Sequence, residues 1–498
     1  MRSLLRDFIG LKRLANQPSD SFASDVLKLA GGTAIAQALA VLASPIITRM
    51  YGPEAFGLSA LFASITGIIA VVACLRYELA IMLPEKDEVA ANLLALSLLL
   101  AAIMSGLTAL IFWFGGEKLL SLLNARGLGP FLWLIPISVF LSGVFLALNY
   151  WNSRTKRFGR LSIARVSASV TTTGTQLGAG IANYATGGSM IVAGLLGSAV
   201  STLILGGQIW RDDGWRLIKC ISLKDIEGGL QRFKRFPLFD TWSALLNSAS
   251  WQLPIFLLAA FFSPAMVGYY SLGMVVLQLP SSLISSAISQ VFFQRAAKAS
   301  LDGSLSHVVE NTFFVLVMIG VLPVLLLAMT GEDLFVVIFG THWAEAGIYA
   351  QILAFWMFFV FVTSPLSTVF IVLEKQRCFL LFNILLFSTR AGALILGGFS
   401  GDARIALLLF SAVGVLDYIG MGLWIFYKVG IPISRILRFF RRIAIYLAFI
   451  VFIIIMAKWV LHLSLQNILL LDVLISIIYY ILLLKKECYT FLRFNSIT

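Results

Sequence analysis

The chain has 498 residues, 59% of them apolar and only 12% charged, with 37 Lys and Arg against 24 Asp and Glu and a formal net charge of +13. Soluble domains run at roughly 45–50% apolar and about 25% charged, so an ordinary multidomain soluble protein is excluded. The cations lie in short loops between apolar runs and not in a folded basic domain, which excludes a nucleic-acid partner and points to contact with anionic membrane lipid.

Apolar stretches of about 20 residues recur along the chain, each long enough to cross ~30 Å of hydrocarbon as a helix. Backbone groups in lipid must be satisfied internally, and these runs are continuous where a transmembrane β-barrel would alternate, so helices are expected. The pattern predicts about 14 crossings, near 26–48, 56–76, 89–114, 130–151, 161–183, 188–210, 237–262, 265–293, 308–330, 346–372, 379–398, 403–427, 441–461 and 467–484. Ahead of them, Arg2, Arg6, Lys12, Arg13 and Lys28 leave no apolar core for a cleavable signal peptide. Residues 1–28, with Leu4, Leu5, Phe8 and Leu11 between the cations, read as an amphipathic helix on the inner membrane surface or as a disordered basic tail.

Orientation follows from where the cations fall. Thirty lie on the side that holds the N-terminus, five (Arg49, Lys118, Arg126, Arg404 and Lys458) on the other, and Arg165 and Arg390 within crossings. The positive-inside rule then places both termini in the cytoplasm. Trp113, Trp151, Trp210, Trp424 and Trp459 fall near crossing ends, where amphipathic rings favour the interface.

Pro53-Glu54-Ala55-Phe56-Gly57 opens the second crossing and Pro264-Ala265-Met266-Val267-Gly268 opens the eighth, 211 residues later, with Pro45 and Pro254 in the helices before them. Pro-x-x-x-Gly is a common helix-start pattern that chance can supply twice. Both copies, however, join an outward to an inward crossing, which favours a parallel repeat. The expected architecture is an all-α polytopic membrane protein with two pseudo-symmetric six-helix lobes (29–210 and 237–427), a basic inter-lobe linker (211–236), and two further crossings with the C-terminus (428–498).

Several crossings carry polar stripes at helical spacing: Thr33, Gln37 and Ser44; Ser162, Arg165, Ser169, Thr172 and Gln176; Asp240, Ser243, Asn247 and Ser250; Gln278, Ser282, Ser285 and Ser289. Ser and Thr can bond back to their own helix, so a single stripe favours packing. Four stripes bracketing the expected lobe boundary favour a water-filled cavity, with the amides of Gln37, Gln176, Asn247 and Gln278 as the stronger markers. Arg390 and Asp417 fall deep in neighbouring crossings, where a charge costs several kcal/mol by most estimates. They read either as an ion pair joining two helices or as a cavity cation with a carboxylate that holds it or exchanges a proton. Arg165 is shallower and shares a polar stripe; Arg49 ends the first crossing on the outer side. Asp240 reads as a solvated acid at a helix start. The four cysteines and three histidines show no disulfide framework or metal spacing, and no P-loop is present, so no metal, cofactor or ATP-driven step is expected.

Two segments carry a resemblance: Pro45-Ile46-Ile47-Thr48-Arg49-Met50-Tyr51-Gly52-Pro53-Glu54-Ala55-Phe56-Gly57 and Leu75-Arg76-Tyr77-Glu78-Leu79-Ala80-Ile81-Met82-Leu83-Pro84. With Arg235-Phe236-Pro237 and Gly268-Tyr269-Tyr270-Ser271-Leu272-Gly273, they resemble Wzx-type O-antigen and exopolysaccharide flippases of the multidrug/oligosaccharidyl-lipid/polysaccharide exporter superfamily. The likeness covers about the first 300 residues; beyond them it rests on hydropathy and topology. It implies a bacterial inner-membrane protein that moves an undecaprenyl-pyrophosphate-linked oligosaccharide to the periplasmic leaflet by alternating access. The implied partners are that substrate, membrane lipids and polysaccharide polymerase machinery, and the implied cavity cations are Arg49, Arg165 and Arg390. The rival within the superfamily is a cation-coupled multidrug antiporter, for which Asp240 and Asp417 are the available coupling carboxylates. A membrane glycosyltransferase or polymerase would need outer-face acids or a large outer loop, and the longest outer loops expected here span only 115–129 and 331–345.

Overall fold

The computed structural model of the chain describes residues 22–460 and 465–494. Residues 1–21, which hold most of the expected amphipathic or disordered N-terminus, lie outside them. All regular structure among the described residues is helical, and the chain is an all-α polytopic membrane protein. The main helices are α1 (Phe22–Met50), α2 (Pro53–Val72), α3 (Tyr77–Ala80), α4 (Asp87–Leu122), α5 (Leu134–Arg154), α6 (Phe158–Ile181), α7 (Gly187–Cys220), α8 (Leu223–Arg232) and α9 (Thr241–Phe261). They continue with α10 (Pro264–Pro280), α11 (Ser286–Asp302), α12 (Leu305–Phe339), α13 (Ala344–Leu366), α14 (Val369–Val372), α15 (Gln376–Gly398), α16 (Ala403–Val429), α17 (Ile433–Ile455) and α18 (Leu465–Phe494).

Local sequence sets the ends of these helices. Pro53 and Glu54 open α2, where a missing N–H and a negative charge are both favourable. Thr186 and Ser189 form a reciprocal capping box at α7, with both backbone-to-hydroxyl bonds at 3.2 Å. Asp402 accepts from the Arg404 amide at 2.8 Å to start α16, and Gly430, at φ +79°, ends it.

Eleven helical segments among the described residues are long and apolar enough to cross a membrane. The other three expected crossings are also helical. Those near 161–183 and 265–293 are α6, whose polar stripe dilutes its hydropathy, and the run α10–α11, divided by a π-helical turn at Ser281–Ser285; the last lies in α18. The expected outer loops at 115–129 and 331–345 are largely helix instead, because α4 runs to Leu122 and α12 to Phe339. The basic connection 211–236 is structured too. It extends α7 to Cys220 and then forms α8, which packs on α4 with Gly229 against Leu93.

The chain divides into two compact units, Met1–Gly268 and Tyr269–Thr498. In the first, α9 packs along α2, α1 along α6, and α6 along α7. Here the two Pro-x-x-x-Gly segments meet: a Cβ on Gly57 would strike the Pro264 carbonyl, and one on Gly268 would strike that of Pro53. Only glycine at both positions permits this reciprocal approach of two helix starts. In the second unit, α12 packs on α13, and α13 and α15 on α16. The C-terminal helix α18 docks on α12: Tyr479 donates to the Met318 carbonyl at 2.8 Å and Tyr480 to the Ile319 carbonyl at 2.9 Å. Pro323 has no N–H to offer Ile319, so the Tyr480 hydroxyl takes that place.

Candidate functional site

A closely built polar site in the first unit lies where the chain turns out of α2. Leu75 and Arg76 both adopt left-handed backbone, at φ +48° and +65°. For residues with a Cβ this costs roughly 1–2 kcal/mol each, so two in succession must be held by their surroundings. The turn sends Arg76 toward Asp240, the last residue of a π-helical turn Phe236–Asp240, and its Nε donates to Asp240 Oδ2 at 2.8 Å. It also places Glu78 under Arg76, with Oε1 at 3.6 Å from Nη1. Glu78 is 1% exposed and its Oε2 has no hydrogen-bond partner. Burial pushes the Glu78 carboxyl above the usual carboxylate range; the Arg76 charge opposes this and the Asp240 charge adds to it.

Around this triad, Tyr77 donates from its hydroxyl to the Leu230 carbonyl at 2.9 Å and packs in an apolar cluster with Phe233 and Phe236. Burial raises the Tyr77 hydroxyl as well. Asn92 bridges α4 to the end of α7, donating to the Cys220 carbonyl at 2.8 Å and accepting from the Ser222 amide at 2.9 Å. Arg154 closes the following turn, donating to the carbonyls of Ile81 and Pro84 at 3.1 and 2.7 Å and pairing with Asp87 at 3.0 Å. The two quoted segments Leu75–Pro84 and Arg235–Pro237, about 150 residues apart, thus meet in one place. Asp240 is correspondingly not a merely solvated helix-start acid but the partner of Arg76. Glu78 and Tyr77 carry no role in the sequence reading because they follow the apolar run. The signal that finds them is an acid set among apolar neighbours in Tyr77–Ala80.

A second polar feature is the seam between α1 and α6. Arg165 Nη1 donates to Thr33 Oγ1 at 2.6 Å, Ser169 Oγ to the Ala36 carbonyl at 2.8 Å, and the Tyr51 hydroxyl to the Gln176 carbonyl at 2.8 Å. Ser162 faces Gly32 and Gly180 faces Met50, so the seam runs the length of both helices. Much of this stripe therefore serves packing. Its open members are Arg165 and the amides of Gln37 and Gln176, all half-buried; the two amides make no side-chain hydrogen bond among the described residues. Asn247 on α9 is exposed, as is Arg49, whose charge lies in the last turn of α1, near its carbonyl end.

In the second unit, Arg390 and Asp417 do not form an ion pair. Asp417 Oδ2 instead lies in hydrogen-bond contact with the Thr389 hydroxyl at 2.8 Å. Arg390 is 6% exposed, with its guanidinium carbon 5.0 Å from the ring of Trp356, 5.3 Å from Tyr418 and 5.8 Å from Phe410. Its Nε and Nη2 have no hydrogen-bond partner. The expectation of a wetted cavity cation gives way to a buried cation in an aromatic box joining α13, α15 and α16, because facing rings replace the carboxylate. Gln278 on α10 is exposed. No group of three or more metal-ligating side chains occurs among the described residues.

The model of the polysaccharide biosynthesis protein family matches residues 46–348, more than half of the chain. The chain belongs to that family. No curated protein matches this family member. Its fold is similar to that of the lipid II flippase MurJ in an inward closed conformation, with a TM-score of 0.68 and 12% identity over 92% of this chain and 99% of that one. It is also similar to an inward-facing multidrug resistance MATE family transporter of the MOP superfamily, with a TM-score of 0.61 and 17% identity over 79% and 94% of the two chains. A MOP superfamily transporter from Pyrococcus furiosus aligns with a TM-score of 0.50 and 15% identity over 82% and 96%. At these identities the likeness is one of fold, and it spans nearly the whole of each of those proteins.

Proposed function

We propose that this family member turns an undecaprenyl-pyrophosphate-linked oligosaccharide from the cytoplasmic to the periplasmic leaflet of the bacterial inner membrane, by alternating access, with both termini in the cytoplasm. The observation that carries this reading is the exposure of polar side chains in the middle of crossing helices. Asn247 lies 11 residues past Phe236, or roughly 16 Å along a 26-residue span, and is exposed. Facing hydrocarbon there, an unpaired amide would cost several kcal/mol, whereas facing water it costs nothing. Arg165, Gln37 and Gln176 in the same unit, and Gln278 in the other, add donors that suit a hydrated phosphate and sugars.

Such a head group cannot cross hydrocarbon unaided, while a polyprenyl tail can remain in lipid. Membership of a polysaccharide biosynthesis family and a fold shared with a lipid II flippase support a lipid-linked glycan as the substrate class. The test is a vesicle assay with the purified full chain and a fluorescent lipid-linked glycan, reading how much becomes accessible to a membrane-impermeant quencher. Accessibility should rise well above that of protein-free vesicles and fall when Arg165 is replaced by Gln. Transport of a cationic dye with no movement of the glycolipid would assign the chain to the multidrug antiporters instead.

A further inference from the structure

The C-terminal helix pair holds a carboxylic acid that the proposed function does not use. Asp472 on α18 is 7% exposed and Thr330 on α12 is 2% exposed, so their contact is sealed from solvent and lipid. Thr330 Oγ1 lies 2.8 Å from the Leu326 carbonyl and 2.7 Å from Asp472 Oδ2. A threonine hydroxyl has one proton to give and can accept through its lone pairs. The Leu326 carbonyl can only accept, so both short contacts are hydrogen bonds at once only when the second proton comes from Asp472; with an ionised Asp472 one hydroxyl proton would have to serve two acceptors. The other oxygen, Asp472 Oδ1, has no partner at all, a state that is expensive for a buried carboxylate and far less so for a neutral acid.

We propose that Asp472 is a proton-binding site, held as a carboxylic acid that donates to Thr330. The charged groups facing it are Asp333 on α12 and Lys458 in the π-helical turn that follows α17, and these pair with each other. Lys458 is thereby neutralised by Asp333 and leaves Asp472 without a counter-ion of its own. Leu326, one turn before Thr330, and Ile475, one turn after Asp472, belong with Ile454 to one buried apolar cluster. When the proton leaves, a bare carboxylate remains. The stable responses are for Lys458 to move from Asp333 to Asp472 or for α18 to shift on α12. Proton binding stands on this geometry alone; a role in driving lipid movement rests on the proposed function.

The test is infrared difference spectroscopy on the full chain in lipid nanodiscs, carrying carbon-13-labelled aspartate, titrated across the pH range the protein tolerates. The expected result is a carbonyl-stretch band of a protonated aspartate, lost in Asp472→Asn and displaced in Thr330→Val, where the acid keeps its proton and loses its acceptor. Absence of any protonated-aspartate band in the unsubstituted chain overturns the proposal, and so does a band unchanged by both substitutions. Carboxylate bands at Asp472 that answer to sodium and not to pH would make it an alkali-cation site and also overturn it. The labelled unsubstituted chain and Thr330→Val keep the test decisive if Asp472→Asn does not fold. A proton signal in a chain that moves no glycolipid would refute the transport reading and leave this one standing.

Discussion

Removing the Arg76 guanidinium should destabilise the first unit mainly through Glu78, not through Asp240. Arg76 Nη1 lies 3.6 Å from a Glu78 side chain that is 2% exposed, while its 2.8 Å partner Asp240 has a side chain that is 45% exposed. At an effective dielectric of 20, opposite charges 3.6 Å apart attract by about 4–5 kcal/mol, an upper limit before desolvation. The half-exposed pair with Asp240 is worth about 0–1 kcal/mol. Arg76→Ala should therefore cost about 2–4 kcal/mol, most of it from the stranded buried carboxylate. In a Glu78→Gln background the same change should cost only about 1 kcal/mol, and Asp240→Asn should cost about as little alone. The measurement is a double-mutant cycle of unfolding in detergent followed by tryptophan fluorescence, where a coupling of about 1–3 kcal/mol is expected between Arg76 and Glu78. Additive effects of the two changes would refute the reasoning, since they would show that Arg76 does not act on Glu78.

The same carboxyl gives a pH dependence. The folded-state pKa of Glu78 is raised, so its contribution to stability is fully present below the unfolded value and is lost as pH rises through the folded one; Glu78→Gln should flatten unfolding curves taken from acid to neutral pH. Arg390→Met should leave thermal stability unchanged or slightly higher. The two unpartnered N–H groups cost about 1–3 kcal/mol each, against cation–π contacts worth about 0.5–2 kcal/mol each. A loss above about 3 kcal/mol would show the cation to be essential to the box. Gly57→Val should abolish recovery of monodisperse protein from detergent, and Gly268→Val should do the same, because each places a side chain against a carbonyl of the partner helix start. Normal yield and melting for either variant would disprove the close approach.

The class of fold was legible because the hydrophobic length of a bilayer is fixed, and runs such as 308–330 and 403–427 have few other uses. Helix ends were less legible where no water boundary imposed itself. Residues 115–122 and 331–339 are polar enough to read as loops, yet they continue α4 and α12. The Pro53–Gly57 and Pro264–Gly268 segments announced a common role by their 211-residue offset, but sequence spacing carries no information that they touch. Arg390 and Asp417 stand out in the sequence as charges deep in crossings, open to an ion-pair or a cavity reading, and the sequence does not show that Arg390 sits among aromatic rings and Asp417 beside Thr389. The nearest opposite charge is the obvious choice on paper, but Trp356, Tyr418 and Phe410 surround the cation, and aromatic rings in an apolar helix leave no signature of that use.

Glu78 and Asp472 show the same limit from the other direction. Both are lone acids that a count of deep carboxylates passes over, one just beyond an apolar run and the other near the start of the last crossing. Each becomes chemically distinctive only when its neighbours are placed: Arg76 and Asp240 in one case, Thr330 in the other. In each, one carboxylate oxygen is buried without a partner. A hydrated carboxylate gains little by entering such a place, so burial selects the neutral acid unless a cation is committed to it. Arg76, though shared with Asp240, lies 3.6 Å from Glu78 and supports its charged form, whereas Lys458 is engaged by Asp333 and gives Asp472 no such support. The two units thus each carry a carboxyl whose charge depends on where a neighbouring cation is placed. If a movement of either unit redirects Arg76 or Lys458, it changes the proton affinity of that acid, and by linkage the proton biases the movement in return. Glu78→Gln and Asp472→Asn separate these two couplings. Each should remove the pH response of its own unit and leave the other intact, and a single substitution that silenced both would show that one acid governs the whole chain.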